Sequence, residues 1–166
     1  MSGSGQGILA STGLGDEVSY FTAVLARNGT KWAARPIDVD AVSDAAELID
    51  LSARLQLEAD GSEPILLLVE REDAWWAVLR IDGDEDARVF VSDVEGVARS
   101  PYAGLLEAGV EATEGNVYGG DLDVLSDLGT APEELREMCD DELVPMDAMA
   151  ALAEAGGFAE ALDSLR

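Results

Sequence analysis

Carboxylates are the side chains of this sequence whose number and spacing suit chemistry. Asp82, Asp84 and Asp86 place oxygens at alternate positions, and Asp93 follows eleven residues after Asp82, a spacing that resembles a calcium-binding loop of the EF-hand type. Two positions depart from that pattern. Ala87 stands where the sharp turn needs glycine, and Asp93 stands where a bidentate glutamate closes such loops. Glu70, Glu72 and Asp73 have the composition of a glycosidase acid pair, but they fall in a tight turn between strands, where no cleft is implied. The one cysteine, Cys139, precedes Asp140, Asp141 and Glu142, whose charge opposes thiolate formation, so it reads as a packed residue and not a nucleophile.

Histidine is absent, which removes Ser-His-Asp triads, Cys-His pairs and zinc sites of the His/Cys kind. No phosphate-binding loop, dinucleotide fingerprint or C-x-x-C pair occurs. A binding or regulatory role is therefore the default, with no catalytic residue, metal ligand or cofactor assigned. The alternative is a carboxylate-only divalent-cation module or enzyme built on Asp82, Asp84, Asp86 and Asp93.

The charge balance bears on partners. The chain carries 35 acidic and 10 basic residues, a formal net charge of −25. That field repels phosphates and disfavours direct nucleic-acid binding, while it favours a basic protein surface. Residues 101–166 hold 16 of the acidic side chains and two of the basic ones, which makes that stretch the expected face if the chain meets a basic partner. A solvated helical unit is the bland reading of the same run. A lone cysteine fits a reducing cytoplasm, and no run of 18 apolar residues is present.

The elements that must position these groups follow from periodicity. Residues 1–17 are Gly/Ser-rich and read as a flexible extension. Strands are predicted at about 19–27 and 31–37, joined by Asn28-Gly29, a strong hairpin signal. A capped helix is expected from Ser43 or Asp44 to about Leu57. The apolar run Ile65–Glu70 predicts a central strand buried on both faces. Alternation over Ala74–Asp82 predicts a fourth strand with Trp75 and Trp76 on opposite faces, and Arg88–Ser92 a fifth.

Short helices are expected thereafter, over 93–98, 102–110, around Leu122–Leu128, from Thr130 through Met138, after Pro145, and at Phe158–Leu165, with 111–120 as a loop. The predicted architecture is thus α+β: a roughly five-stranded, mainly antiparallel sheet with one crossover helix over 18–100, and a bundle of short acidic helices over 101–166, packed on the sheet or appended to it. Trp75 and Trp76 are expected to be buried within the chain, with partner contact or self-association through the sheet as the rival reading. Asp140, Asp141 and Glu142 are the candidate partner-binding acids.

Three blocks carry a family resemblance: SYFTAVLARNGTKWAAR, EPILLLVEREDAWWAVLRIDGDEDARVFVSD, and LGTAPEELREMC with LAEAGGFAEALDSLR. Over about residues 18–166 the chain resembles the tRNA adenosine deaminase-associated protein family of actinobacteria. The resemblance implies a non-catalytic accessory protein with a tRNA adenosine deaminase as its expected partner, and it brings no catalytic residues. The deaminases themselves require an H-x-E and P-C-x-x-C zinc constellation, which this chain lacks.

Overall fold

The computed structural model describes residues 20–28, 31–37, 64–72, 74–82, 87–106 and 117–165. Six strands form one sheet: β1 (Tyr20–Asn28), β2 (Lys31–Pro36), β3 (Pro64–Arg71), β4 (Trp75–Asp82), β5 (Arg88–Val91) and β6 (Gly119–Gly120). Their order is β2-β1-β3-β4-β5-β6, and every neighbouring pair is antiparallel. Because β3 lies beside β1 and not beside β2, the chain must cross over β1 between β2 and β3. The helix expected at 43–57, the N-terminal extension and the loop at 83–86 lie outside the described residues.

Period-two alternation decides what each face buries. On one face Ala23, Leu25, Leu66, Leu68, Trp76, Val78 and Phe90 form a core with the C-terminal helices. On the other, Val24, Ala26, Leu67, Val69, Trp75, Ala77, Leu79 and Val91 pack with Val97, Tyr102 and Leu106. β3, with Leu66 to Val69 fully buried, is the doubly covered central strand that its unbroken apolar run predicts. Trp75 and Trp76 lie on opposite faces, as the alternation requires.

The short helices are α1 (Val94–Ala98), α2 (Ala103–Leu106), a 3₁₀ turn at Ser126–Leu128, α3 (Pro132–Asp140), α4 (Pro145–Gly156) and α5 (Ala159–Asp163). Asp93 caps α1 by accepting the Gly96 amide at 3.1 Å. Pro145 opens α4, and Gly157, at φ 81°, closes it in the left-handed region that glycine tolerates. Leu152, Ala153, Phe158 and Leu162 bury one side of α4 and α5 against the first sheet face, and Phe158 meets Trp32 of β2 with ring centres 5.2 Å apart.

Three local expectations change. Gly119–Gly120 pairs with Val91 and Phe90 as a sixth strand, not a loop, because backbone hydrogen bonding there needs no side-chain propensity. The stretch Leu122–Leu128 makes a single 3₁₀ turn and not an α-helix, closed by Gly129 at φ 95°. The cap of α3 lies one residue later than the Thr130–Glu133 spacing predicts. The Ala131 amide donates to the Glu134 carboxylate at 3.2 Å, and Thr130 is buried. Alanine has no side-chain acceptor, so only the glutamate half of the capping box exists.

Candidate functional site

The start of β4 and the end of β5 are tied together beyond the regular ladder. Ser92 donates its amide to the Trp76 carbonyl at 2.9 Å, and the Trp76 amide donates to Ser92 Oγ at 2.9 Å. The Val94 amide donates to the Val117 carbonyl at 2.8 Å, which draws Val117 to the same end of the sheet. Across from it, α3 ends in a tight reversal. The Glu142 amide donates to the Cys139 carbonyl at 3.2 Å and the Leu143 amide to the Met138 carbonyl at 3.1 Å. This is the paired bonding of a Schellman C-terminus. Glu142 occupies its left-handed position, at φ 52°, and is the one non-glycine residue with positive φ among those described.

Between these two sides lies a cavity of about 280 Å³. Ala74, Trp76, Ser92, Asp93 and Val117 line it from the sheet side, and Met138 to Pro145 supply the helical wall through Met138, Cys139, Glu142, Leu143, Val144 and Pro145. The large hydrophobic side chains most exposed among the described residues are Val117, Leu143, Val144 and Met146. Three of the four line this cavity, and Met146 adjoins it in sequence. Asp140, Asp141 and Glu142 are all exposed at the same turn. The corner therefore combines an apolar rim with a concentration of carboxylates.

Trp75 and Trp76 are 1% and 2% exposed, so the expected burial within the chain holds for both. They separate in role by face. Trp75 packs with Tyr20 and α1 on the second face, whereas Trp76 reaches the cavity from beneath. Cys139 is half-buried, and its thiol is pushed up to about 12, first by burial and then by Asp140, which leaves it protonated at neutral pH.

Of the carboxylates considered for a cation, the two among the described residues, Asp82 and Asp93, lie far apart. Asp82 ends β4 and Asp93 follows β5 near the strand's other end; β4 is eight residues long, or over 20 Å at about 3.3 Å per residue. Asp82 accepts both bonds of Arg80 Nε, at 3.0 and 2.9 Å, and Asp93 serves as a helix cap. Asp84 and Asp86 lie outside the described residues. Among those described, no group of three His, Cys, Asp or Glu side chains is arranged to hold a metal ion. Within the Glu70–Asp73 group, the two described acids do not pair across a cleft. Glu70 is buried within β3, Glu72 is exposed in the turn, and Asp73 lies outside the described residues.

At that far end the sheet carries a structural ion cluster. Arg80, 5% exposed, donates to Asp127 through Nη1 at 2.5 Å and Nη2 at 2.8 Å, and to the Val124 carbonyl at 2.9 Å. Arg88 donates to Asp121 at 2.7 Å and to the Asp123 carbonyl at 2.9 Å. The Arg80 guanidinium holds the Asp127 carboxyl below its ordinary range, chiefly through the hydrogen bond, and Asp127 in turn raises Arg80. These bonds pin the 121–128 turn to β4 and β5.

The sequence singled out Trp76, Asp140, Asp141 and Glu142 but not the apolar rim. The available signal was Leu143-Val144 directly after an acidic triplet and before a helix-opening proline; such a pair is exposed unless something covers it. No helix among the described residues is long and apolar enough to cross a membrane.

No curated protein and no solved structure matches the chain. One family model does, over residues 20–159, a span that contains the whole sheet, both walls of the cavity and the ion cluster. Its description names association with a deaminase and not deamination itself, in keeping with a chain that has no histidine and one cysteine. The chain belongs to the family of Rv3753c-like tRNA adenosine deaminase-associated proteins.

Proposed function

We propose that this chain is a non-catalytic accessory protein that binds a tRNA adenosine deaminase through the acidic corner where α3 meets α4, in the reducing cytoplasm that its lone cysteine suits. The observation that carries this reading is the gathering of Val117, Leu143, Val144 and Met146, all exposed, beside the carboxylates of Asp140, Asp141 and Glu142. Exposed apolar side chains rimmed by charge are the composition of a transient protein interface. A deaminase that holds tRNA presents cationic surface for the phosphates, and a partner of net charge −25 is steered to that surface. Docking there modulates access of the RNA.

The complex is expected to be salt-sensitive. Rim charges act mostly on association rate, and each is worth about 0.2–1 kcal/mol, so replacing Asp140, Asp141 and Glu142 together by Asn, Asn and Gln lowers affinity by roughly 10-fold at low salt. Calorimetry between the purified proteins at low and high ionic strength measures both effects. Absence of binding at low salt removes the proposal, as does a complex indifferent to the triple substitution.

A further inference from the structure

Residues 18–37 hold Arg27, Lys31 and Arg35 and no acidic residue, whereas at the frequency of the whole chain, 35 in 166, twenty residues would hold about four. This stretch is the β1–β2 hairpin, and β2 is the outermost of the described strands on its side of the sheet. β1 and β3 separate it from β4, so it stands apart from the acidic corner.

The ladder fixes what β2 turns outward. The Ile37 amide donates to the Thr22 carbonyl at 3.0 Å, and the register continues with Arg35 opposite Val24, Ala33 opposite Ala26 and Lys31 opposite Asn28. In an antiparallel pair, residues that bond their partner alternate with residues that do not. Lys31, Ala33 and Arg35 therefore turn their backbone groups toward β1, whereas Trp32 and Ala34 turn theirs away from it. Of the groups turned away, the Ala34 carbonyl alone is bonded among the described residues, by the Arg35 guanidinium of its own strand at 2.8 Å. Pro36 has no amide to offer, so Trp32 and Ala34 are the outward donors of this strand.

The side chains add a charge pattern. Lys31 and Arg35 share the face of Ala33, both are exposed, and neither forms an ion pair among the described residues. On the other face the Trp32 indole anchors the strand, with Phe158 at 5.2 Å and the Arg27 guanidinium at 5.5 Å from its ring centre.

We propose that the outer edge of β2 takes up an acidic segment of a partner polypeptide as an added antiparallel strand, with one carboxylate on Lys31, one on Arg35 and an apolar residue over Ala33. The added strand bonds Trp32 and Ala34. Lys31, Ala33 and Arg35 then fall at the non-bonded positions of the new pair, where opposed side chains stand closest. The matching sequence is acid-x-apolar-x-acid. Arg35 exchanges a neutral carbonyl acceptor for a carboxylate, which makes the stronger bond. Backbone bonds supply affinity and the two charges supply selection, as in other interfaces built by strand addition. A second copy of β2 fits this edge poorly, because antiparallel pairing about Ala33 would set Lys31 against Arg35. A nucleic-acid backbone would meet the cations and leave the outward amides without ladder partners.

The test uses the full ¹⁵N-labelled chain and two capped heptapeptides, Thr-Glu-Thr-Val-Thr-Glu-Thr and its Gln-for-Glu analogue, followed by NMR and amide hydrogen exchange. The Glu peptide is expected to bind saturably, about five-fold more tightly than the Gln peptide. At about nine-tenths occupancy it slows exchange of the Trp32 and Ala34 amides about ten-fold, while Ala33 and Arg35, already in the ladder, change little. Lys31→Gln combined with Arg35→Gln removes the preference for Glu and moves the melting temperature by less than about 2 °C, since both side chains are exposed. Equal binding of the two peptides, no saturable binding of either at millimolar concentration, or saturation that leaves Trp32 and Ala34 exchange unchanged would each overturn the assignment. Protection of those amides that rises with the concentration of the chain alone overturns it in favour of self-pairing. Stronger protection by a uridine oligonucleotide than by the Glu peptide overturns it in favour of a phosphate site.

Discussion

Replacing Arg80 by methionine is expected to destabilise the fold by about 2–3 kcal/mol at neutral pH, and by up to about 1 kcal/mol less in acid. Methionine keeps most of the buried stem, so packing loss is small. Three acceptors lose their donor. The Val124 carbonyl sits in a buried turn, and leaving it unpaired costs about 1–3 kcal/mol. Among the described residues Asp82 keeps only Arg88, at 3.8 Å, and its side chain is 22% exposed, so water compensates it partly. Asp127 is 62% exposed; it rehydrates readily, and its ion pair is discounted to at most about 1 kcal/mol. Relief of the desolvation of Arg80 itself offsets part of the total.

The pH dependence has a definite sign. The folded-state pKa of Asp127 is lowered by Arg80, so the stability it contributes is fully present above the unfolded carboxylate pKa of about 3.9. That contribution is lost as the pH falls through the depressed folded value. The gap between wild type and Arg80→Met should therefore be complete at pH 7 and narrow below about pH 4. At about 2–4 °C per kcal/mol for a chain of this size, the melting temperature drops by about 4–12 °C at pH 7. Calorimetric melts from pH 3 to pH 7 measure both quantities. An Arg80→Met protein as stable as wild type at pH 7, or a gap that does not narrow in acid, refutes the reasoning.

Two further outcomes follow from contacts elsewhere in the fold. With its thiol raised to about 12, Cys139 should react with iodoacetamide at pH 7.4 about 10³-fold more slowly than a free thiol of pKa near 8.5; alkylation at the free-thiol rate in the folded chain contradicts the burial assigned to it. Gly96→Ala should cost about 1–3 kcal/mol in urea unfolding, because a Cβ there would stand 2.7 Å from Trp75 Cδ1 and force α1 off the indole. A neutral Gly96→Ala is inconsistent with this packing of α1.

What the sequence made legible was whatever repeats. Strand alternation set the faces of β1, β3 and β4 and put Trp75 and Trp76 on opposite sides. Pro145 and Gly156-Gly157 marked both ends of α4, since proline and glycine act through their own dihedral angles. The failures were places where structure comes from backbone or from distant partners. β6 is two glycines held by ladder bonds to Phe90 and Val91, with no side chain to announce it. Arg80 is one member of an alternating strand, with nothing near it in sequence that marks its partners. It is buried because Asp127 and Val124, more than forty positions later, fold over it.

The candidate site was half legible for the same reason. Asp140, Asp141 and Glu142 stand out as a charge run, but a charge run alone is usually a solvated face. What distinguishes this one is tertiary: Val117 is brought to it by the Val94 amide, and Trp76, Met138 and Pro145 line one cavity beside it. A linear reading sees carboxylates and misses the cavity between them. The left-handed backbone of Glu142 is equally invisible in the sequence, because the rule for Schellman turns predicts glycine at that place. Where a chain departs from the residue its backbone prefers and sets a carboxylate at the mouth of an apolar cavity, local stability and recognition pull in opposite directions. Glu142→Gly measures the local side of that opposition: relief of the backbone at φ 52° should raise the melting temperature by about 2 °C, and an unchanged or lower value contradicts it.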